Sequence, residues 1–178
     1  IDVEKCISCG NCFAKCPFSA ILERSQILDV LKALKNNEKV VAMIAPAASS
    51  QIAGTIEQLF TAVSKLGFTD VIEVALGAED TTAHEAEEFR DKMNAGEKLM
   101  TTSCCPAYVE LVRKFMPDFM QYVSSTPSPM VFAAEIARRE HPGCKVVFIG
   151  PCVAKRVEAA RKNIDYVLSF EELFAMLA

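Results

Sequence analysis

The sequence contains no Trp, only two His and three Tyr in 178 residues, and its charges nearly balance at 19 basic against 23 acidic. Each shortage excludes something. Neither His84 nor His141 has a second metal-type ligand at helical or strand spacing, so a histidine-built metal site is not expected. Basic residues alternate with acidic ones and form no stripe, which argues against a nucleic-acid partner. No Gly-rich dinucleotide fingerprint and no Walker loop occurs. There is no long apolar span and no signal peptide, so no membrane partner is expected. The first residue is Ile1 rather than Met, and it lies five positions before the first cysteine. The start is therefore expected to be a cut within a longer protein.

What the sequence does contain is apolar residues, 51% of the chain and ample for a core, and eight cysteines in a telling order. Four stand in Cys6-Ile-Ser-Cys9-Gly-Asn-Cys12-Phe-Ala-Lys-Cys16-Pro17, the C-x2-C-x2-C-x3-C-P run of a bacterial-type ferredoxin. Cys6, Cys9 and Cys12 can hold three corners of one 4Fe–4S cube on a loop relieved by Gly10. The fourth cysteine of such a run, here Cys16, ligates the other cluster in two-cluster ferredoxins. Only one run is present, so one cluster lacks a ligand and Cys16 lacks a cluster. Cysteines grouped in this way suit metal binding in a reducing compartment better than disulfides, and a cytoplasmic location is expected. The segment 1–25 reads as half of a two-cluster ferredoxin-like module. Phe13 and Phe18 read as packing around its loop rather than as electron-tunnelling aromatics, and Cys144 as a small buried hydrophobe.

From residue 26 the text changes to alternating strands and helices. Residues 27–36 carry apolar positions at helical spacing. Residues 40–45 read as a buried strand stopped by Pro46, 52–66 as a helix closed by Gly67, and 71–76 as a second strand. Thr82 with Glu85 has the form of a capping box, expected to open a helix ending near Gly96. A weaker strand at 99–103 runs into Cys104-Cys105, and Pro106 suits the first turn of the next helix. Ser128-Pro129 opens another helix, 145–149 is a strong strand, a short helix follows Cys152, and 166–168 is the last strand. Ser169 with Glu172 caps a terminal helix. Alternation of this kind predicts an α/β fold, a parallel sheet with helices on both faces, preceded by the ferredoxin-like half-module. Ligands of such sheets sit beyond the carboxyl ends of the strands. Pro46, Cys104-Cys105 and Cys152 all follow predicted strands directly.

Three segments together resemble the iron-only (FeFe) hydrogenases: the ferredoxin run, Thr101-Thr-Ser-Cys-Cys-Pro106, and Gly150-Pro-Cys152-Val-Ala-Lys155-Arg-Val-Glu158. Ile44-Ala-Pro-Ala47 and the stretch 124–129 extend the resemblance over nearly the whole chain. The resemblance implies that residues 26–178 are the N-terminal part of the hydrogenase catalytic domain, and that the parent reversibly reduces protons to dihydrogen. Its electrons would arrive through 4Fe–4S clusters from a ferredoxin or other redox partner. It implies Cys105 and Cys152 as ligands of the 4Fe–4S half of the catalytic H-cluster, soft thiolates for a soft iron site. Cys104 is implied as the non-ligating cysteine that passes protons to the diiron half, Lys155 as the donor to a cyanide ligand, and Ala45 and Pro46 as residues lining the diiron unit.

The resemblance also implies a proton relay of Glu88, Ser124, Glu85 and Cys104. Glu85 and Glu88 are three apart and share a helical face. Read without the resemblance, Glu85 is a cap and Glu88 a solvated carboxylate. The chain departs from well-known catalytic members in having Gly150 for a Met, Ala107-Tyr108 for Gly-Trp and Met130 for a Gln. Such changes retune the surroundings of a diiron site and recur in sensory branches. The third cysteine-bearing segment of the family does not occur before Ala178. The H-cluster is therefore expected only in the complete parent, with the rest of the parent chain as a partner, and the fragment alone is expected to be inactive. Two alternatives stand beside catalysis: a sensory hydrogenase-like signalling protein, and a non-catalytic relative in iron–sulfur assembly.

Overall fold

The computed structural model describes residues 1–52 and 54–178. Four parallel strands form one sheet: β1 (Val40–Ile44), β2 (Asp70–Glu73), β3 (Lys145–Ile149) and β4 (Tyr166–Leu168), in the order β2-β1-β3-β4. All five residues of β1 are buried. Successive side chains point to opposite faces, so a wholly buried strand requires helices on both faces. The expected α/β architecture is the observed one.

The strand order places a switch point between β1 and β3. From β1 the chain moves outward to β2, then returns across β1 to lay down β3 and β4 on the other side. The ladder continues one residue past each central strand, with Ala45 N–H donating to Ile149 O at 2.9 Å and Gly150 N–H to Leu168 O at 3.0 Å. A crevice beyond the carboxyl ends of β1 and β3 follows from this topology. Its walls open with Ala45-Pro46 on one side and Gly150-Pro151-Cys152 on the other.

The helices differ from the sequence expectations in instructive places. α1 (Asn11–Lys15) is a single turn within the cysteine run, and α2 (Ile27–Lys35) is the expected helix. A short helix that was not expected, α3 (Ala48–Gln51), precedes the stretch 52–66, and the helix expected there starts later, as α4 (Ile56–Lys65). Thr55 and Gln58 form a capping box, Thr55 N–H donating to Gln58 Oε1 at 3.0 Å and Gln58 N–H to Thr55 Oγ1 at 3.3 Å. That reciprocal pair satisfies two otherwise orphaned donors and starts the helix at Ile56. Ala53, inside the expected helix, lies outside the described residues.

β2 stops at Glu73, and α5 (Val74–Asn94) begins at once. Thr82 is inside this helix, not at its start, and its hydroxyl donates to Ala78 O at 2.8 Å, one turn back. Thr and Ser can satisfy themselves in this way within a helix, so the Thr82–Glu85 pattern mimicked a cap. The strand expected at 99–103 is reduced to a bridge between Thr101 and Val123. The remaining helices match: α6 (Pro106–Phe115), α7 (Pro129–Glu140), α8 (Lys155–Arg161) and α9 (Phe170–Leu177). α9 opens on the expected Ser169–Glu172 capping box.

One close approach sets the position of α5. A Cβ at Gly77 would stand 2.2 Å from Pro129 O and 2.6 Å from Ala133 N, so backbone meets backbone where α5 crosses α7. Only glycine permits this contact. It brings the acidic face of α5 against the segment that leads into α7.

Candidate functional site

A cavity of about 300 Å³ occupies the crevice at the switch point. Ala45 and Pro46 line it from the end of β1, Cys152 and Lys155 from the segment after β3, and Cys104 from the loop before α6. Five of the residues singled out in the sequence thus share one wall-to-wall space. Met130, fully buried, and Phe148 make its floor apolar. Gly150 explains that floor: a Cβ there would stand 2.8 Å from the Phe148 ring and 2.9 Å from Ala45 Cβ. Cys105 is the exposed N-cap of α6 and is not among the residues lining this space.

Lys155 is held at the mouth by three acceptors. Its Nζ donates to Glu158 Oε2 at 2.6 Å, Ser128 Oγ at 2.8 Å and Cys104 O at 3.1 Å. The spacing Lys-x-x-Glu puts both side chains on one face of α8, which is why this pair forms. The Cys104 Sγ lies 3.8 Å from Thr102 Oγ1, and Thr101 Oγ1 meets Tyr108 OH at 2.7 Å, pinning the loop to α6.

Behind Cys104, two carboxylates of α5 make separate polar contacts, Glu85 with the loop before Cys104 and Glu88 with residues 124–126. Glu85 Oε1 accepts from the N–H of Ser103, the residue before Cys104, at 3.3 Å. One helical turn on, Glu88 Oε2 accepts from Ser124 Oγ at 2.6 Å and from Thr126 Oγ1 at 3.0 Å. Ser125 N–H donates to Glu88 Oε1 at 2.9 Å, and Lys92 approaches at 3.5 Å. Burial works to raise the Glu88 pKa, but the Ser124 hydroxyl, the Ser125 N–H and the Thr126 and Ser125 hydroxyls outweigh it and hold the carboxyl at about 2. The sequence points to Glu88 and Ser124 but not to Ser125, Thr126 or Gly77, and to Ser128 only as the cap of α7 and not as a partner of Lys155. The signal for three of them was the hydroxyl-rich run at 124–128.

The ferredoxin-like run surrounds a second cavity, of about 650 Å³. Cys6, Cys9 and Cys12 line it and Cys16 does not. The loop carries left-handed backbone at Ser8, Gly10 and Ser19, with φ of 57°, 78° and 48°. These turns aim peptide N–H groups at sulfur: Ser8 N–H reaches Cys6 Sγ and Ala20 N–H reaches Cys16 Sγ, each at 3.4 Å. The Ala20 and Phe18 N–H groups lower the Cys16 thiol pKa against a weaker effect of burial, favouring the thiolate that binds metal. Phe18 is 86% exposed, so it does not pack around the loop as expected, whereas Phe13 lines the cavity. The loop docks on the body closely: a Cβ on Gly10 would stand 2.7 Å from Val153 Cγ2. Cys9 and Cys152 line a further shared cavity across that contact.

Elsewhere, Cys144 is buried beneath α7 as expected, its Sγ 3.7 Å from Ala137 O, and burial pushes its pKa up. His84 is exposed and stacks near Phe132. His141 pairs with Asp70 at 2.8 Å, a long-range contact that no local spacing announced.

Cysteines thus line two cavities of an α/β protein, one at the carboxyl ends of its parallel sheet and one within the N-terminal run. Residues 38–178 match the iron-only hydrogenase large subunit, C-terminal domain, and residues 1–22 match a 4Fe-4S binding domain. The chain belongs to the iron-only hydrogenase family, and its cofactors are iron–sulfur clusters. It is 31% identical over 201 residues to the NADP-reducing hydrogenase subunit HndD of Solidesulfovibrio fructosivorans, an alignment spanning 94% of this chain and 34% of that protein. Its fold matches apo [FeFe]-hydrogenase HydA1 from Chlamydomonas reinhardtii with a TM-score of 0.73 at 28% identity, over 84% of this chain and 46% of the other. It also resembles the cytosolic Fe-S cluster assembly factor NAR1 of Kluyveromyces lactis, 22% identical over 99% of this chain and 41% of that protein. The chain thus spans about a third to a half of the length of these proteins. Among the described residues, no helix is long and apolar enough to cross a membrane.

Proposed function

We propose that this chain is part of an iron-only hydrogenase that interconverts protons and dihydrogen, with residues 26–178 forming the first part of its catalytic domain and residues 1–25 part of its electron-entry module. The observation that carries this reading is the switch-point cavity, where Cys104, Cys152, Lys155, Ala45 and Pro46 converge. Cys152, with Cys105 from the N-cap of α6, would hold iron, and Cys6, Cys9 and Cys12 would hold three corners of the electron-entry cluster, with Cys16 left for a neighbouring one. The bound metal group supplies the two-electron chemistry of dihydrogen.

This chain's own residues supply protons and shape. Cys104 lines the cavity, and behind it Glu85 meets the Ser103 peptide and Glu88 meets Ser124. With its pKa near 2, Glu88 rests ionised at neutral pH and accepts the Ser124 hydroxyl hydrogen bond, so it stands ready to take up a proton arriving from the surface. Lys155 offers an anion in the cavity the N–H now given to the Cys104 carbonyl, the longest of its three hydrogen bonds. Eight free thiols suit a reducing, cytoplasmic setting and delivery of electrons by ferredoxin or a similar carrier.

The test is dihydrogen evolution by the complete gene product, purified anaerobically with its clusters. A Ser hydroxyl is a far weaker acid than a thiol, so Cys104→Ser should lower turnover roughly 10²-fold or more at unchanged iron content. Cys152→Ser should instead lose iron. Equal turnover in fully loaded wild type and Cys104→Ser protein would refute the relay.

A second reading, dihydrogen sensing, draws support from the apolar floor. Phe148 fills the space beside Gly150, and buried Met130 offers no hydrogen bond there. Slow turnover by the loaded wild type, with a spectroscopic response to dihydrogen, would favour that reading. The likeness to NAR1 keeps an assembly role as a third outcome: iron–sulfur clusters present and no reaction with dihydrogen.

A further inference from the structure

We propose that Lys114 is a positioning residue for the N-terminal iron–sulfur cluster: its ammonium clamps the Cys6 end of the loop and raises the cluster's reduction potential. The inference rests on the reading of Cys6, Cys9 and Cys12 as ligands. Lys114 stands in the last turn of α6, with its side chain 13% exposed. Its Nζ donates to Cys6 O at 2.7 Å and to Val3 O at 2.8 Å, more than a hundred residues away in the chain. Val3 lies inside, and Cys6 at the end of, the turn in which the Lys5 and Cys6 N–H groups both donate to Asp2 O. The clamp therefore grips the turn that presents the first ligand at two points, within it and at its end.

The charge around Lys114 does not cancel. Glu110, buried one turn back on α6, lies 3.8 Å from the ammonium, but it also takes a forked contact from Arg113 and a short one from Arg161. One carboxylate shared by three cations leaves a positive surplus beside the Cys6 peptide. Glu4, on the same segment, faces Arg113 and makes that surplus one charge smaller, and the pair of Lys5 with Asp2 is exposed and screened. Cluster potentials respond to net charge, hydrogen bonding and solvent exposure, and a nearby cation favours the more negative, reduced cluster. α6 starts at Cys105 and ends at this clamp, so one rigid helix links the ligand of one proposed cluster to the ligand of the other.

The experiment is an EPR-monitored dithionite titration of the anaerobically reconstituted chain. Cys105→Ser and Cys152→Ser are both present so that only the N-terminal cluster reports, and 2-mercaptoethanol is supplied as an exchangeable fourth thiolate. Lys114→Met is expected to lower the reduced-to-oxidised ratio at a fixed potential about tenfold, ~59 mV for a one-electron couple. Lys114→Arg, which keeps the charge, should move the ratio by less than about threefold, whatever it does to iron content. A structural role alone would change iron loading in both variants while leaving the midpoint of the loaded fraction in place, and that result overturns the inference. Equal shifts in the two variants overturn it as well. A background protein that takes up no cluster refutes the reading of the N-terminal run, and the inference falls with it.

Discussion

The N-terminal loop and the α/β body solve the same problem of holding a chain in one shape by different means. In the body, the non-glycine residues with left-handed backbone are Asn37 and Asn163, each just past a helix end, where Asn tolerates that conformation. In the loop they are Ser8 and Ser19, each close to a cysteine, and α1 buries nothing. The body is held by apolar burial: Val40 to Ile44, Val146 to Ile149, Leu168 and Leu173 are at most 3% exposed. The loop has the Lys114 clamp, the contact of Gly10 on Val153 and its sulfur-directed N–H groups. Metal binding supplies folding free energy directly in small metal-binding segments, and a cluster held by this run would add to those contacts. The difference teaches that the body is held by its own apolar core, whereas the loop has little burial of its own and leans on polar contacts and on the body beside it.

The sharpest way to break this comparison is to remove matched apolar side chains. Leu173→Ala, in the core, is expected to cost about 2–5 kcal/mol in urea unfolding of the cluster-free chain. Phe18→Ala, on the loop, should change the same transition by no more than about 0.5 kcal/mol. Comparable losses would mean that the loop belongs to the body's cooperative unit.

Acid should act next, and through the body. Glu88 and Glu110 both titrate at about 2 when folded, against an ordinary value of 4.5. For Glu110, hydrogen bonds from Arg113 and Arg161 outweigh burial; for Glu88, burial is outweighed by its hydroxyl and N–H donors. A depressed carboxyl pKa contributes stability that is complete above the unfolded value and is lost as pH falls toward the folded one. Each group should therefore contribute of the order of 2 kcal/mol that fades between about pH 5 and pH 2. Melting temperatures of wild type and Glu88→Gln, measured from pH 7 downward, should converge across that range. Parallel curves would show that Glu88 is not held as described.

The smallest effects separate the regions most cleanly. Thr55→Ala removes the cap of α4 and should cost about 1 kcal/mol in the unfolding of the body, with no change in iron uptake. Gly10→Ala must accommodate a Cβ against Val153 at a φ of 78°, so it should lower iron uptake by the loop while leaving the body's unfolding midpoint in place. The reverse pattern in either variant would contradict the division.

Much of the body was legible because its signals are local or periodic. The buried runs at 40–44 and 145–149, the Ser169–Glu172 capping box and the Pro129 helix start all stand where residue pattern put them. Where pattern failed, a local motif had two uses. Thr82 and Glu85 have the spacing of a cap, yet Thr82 satisfies itself on Ala78 within a continuous helix. The capping box at Thr55 and Gln58 was passed over because the apolar spacing runs straight through it. The weak strand expected at 99–103 does not form, because the segment has a single bridge partner, Val123, and belongs to no sheet.

For the candidate site, sequence alone determined the chemistry: four cysteines at cluster spacing, a cysteine pair before a proline, and a Lys-x-x-Glu behind a third cysteine. Residue type sets what a group can bind or donate, and that is written one position at a time. Tertiary structure alone decided which of these groups meet. The strand order β2-β1-β3-β4 set Ala45 beside Gly150 and opened the cavity between them. The backbone contact at Gly77 brought Glu88 to Ser124, and the reach of Lys114 to Cys6 joined residues 108 positions apart. Such meetings depend on how whole elements pack, and packing is a sum over distant parts of the chain that no local pattern encodes.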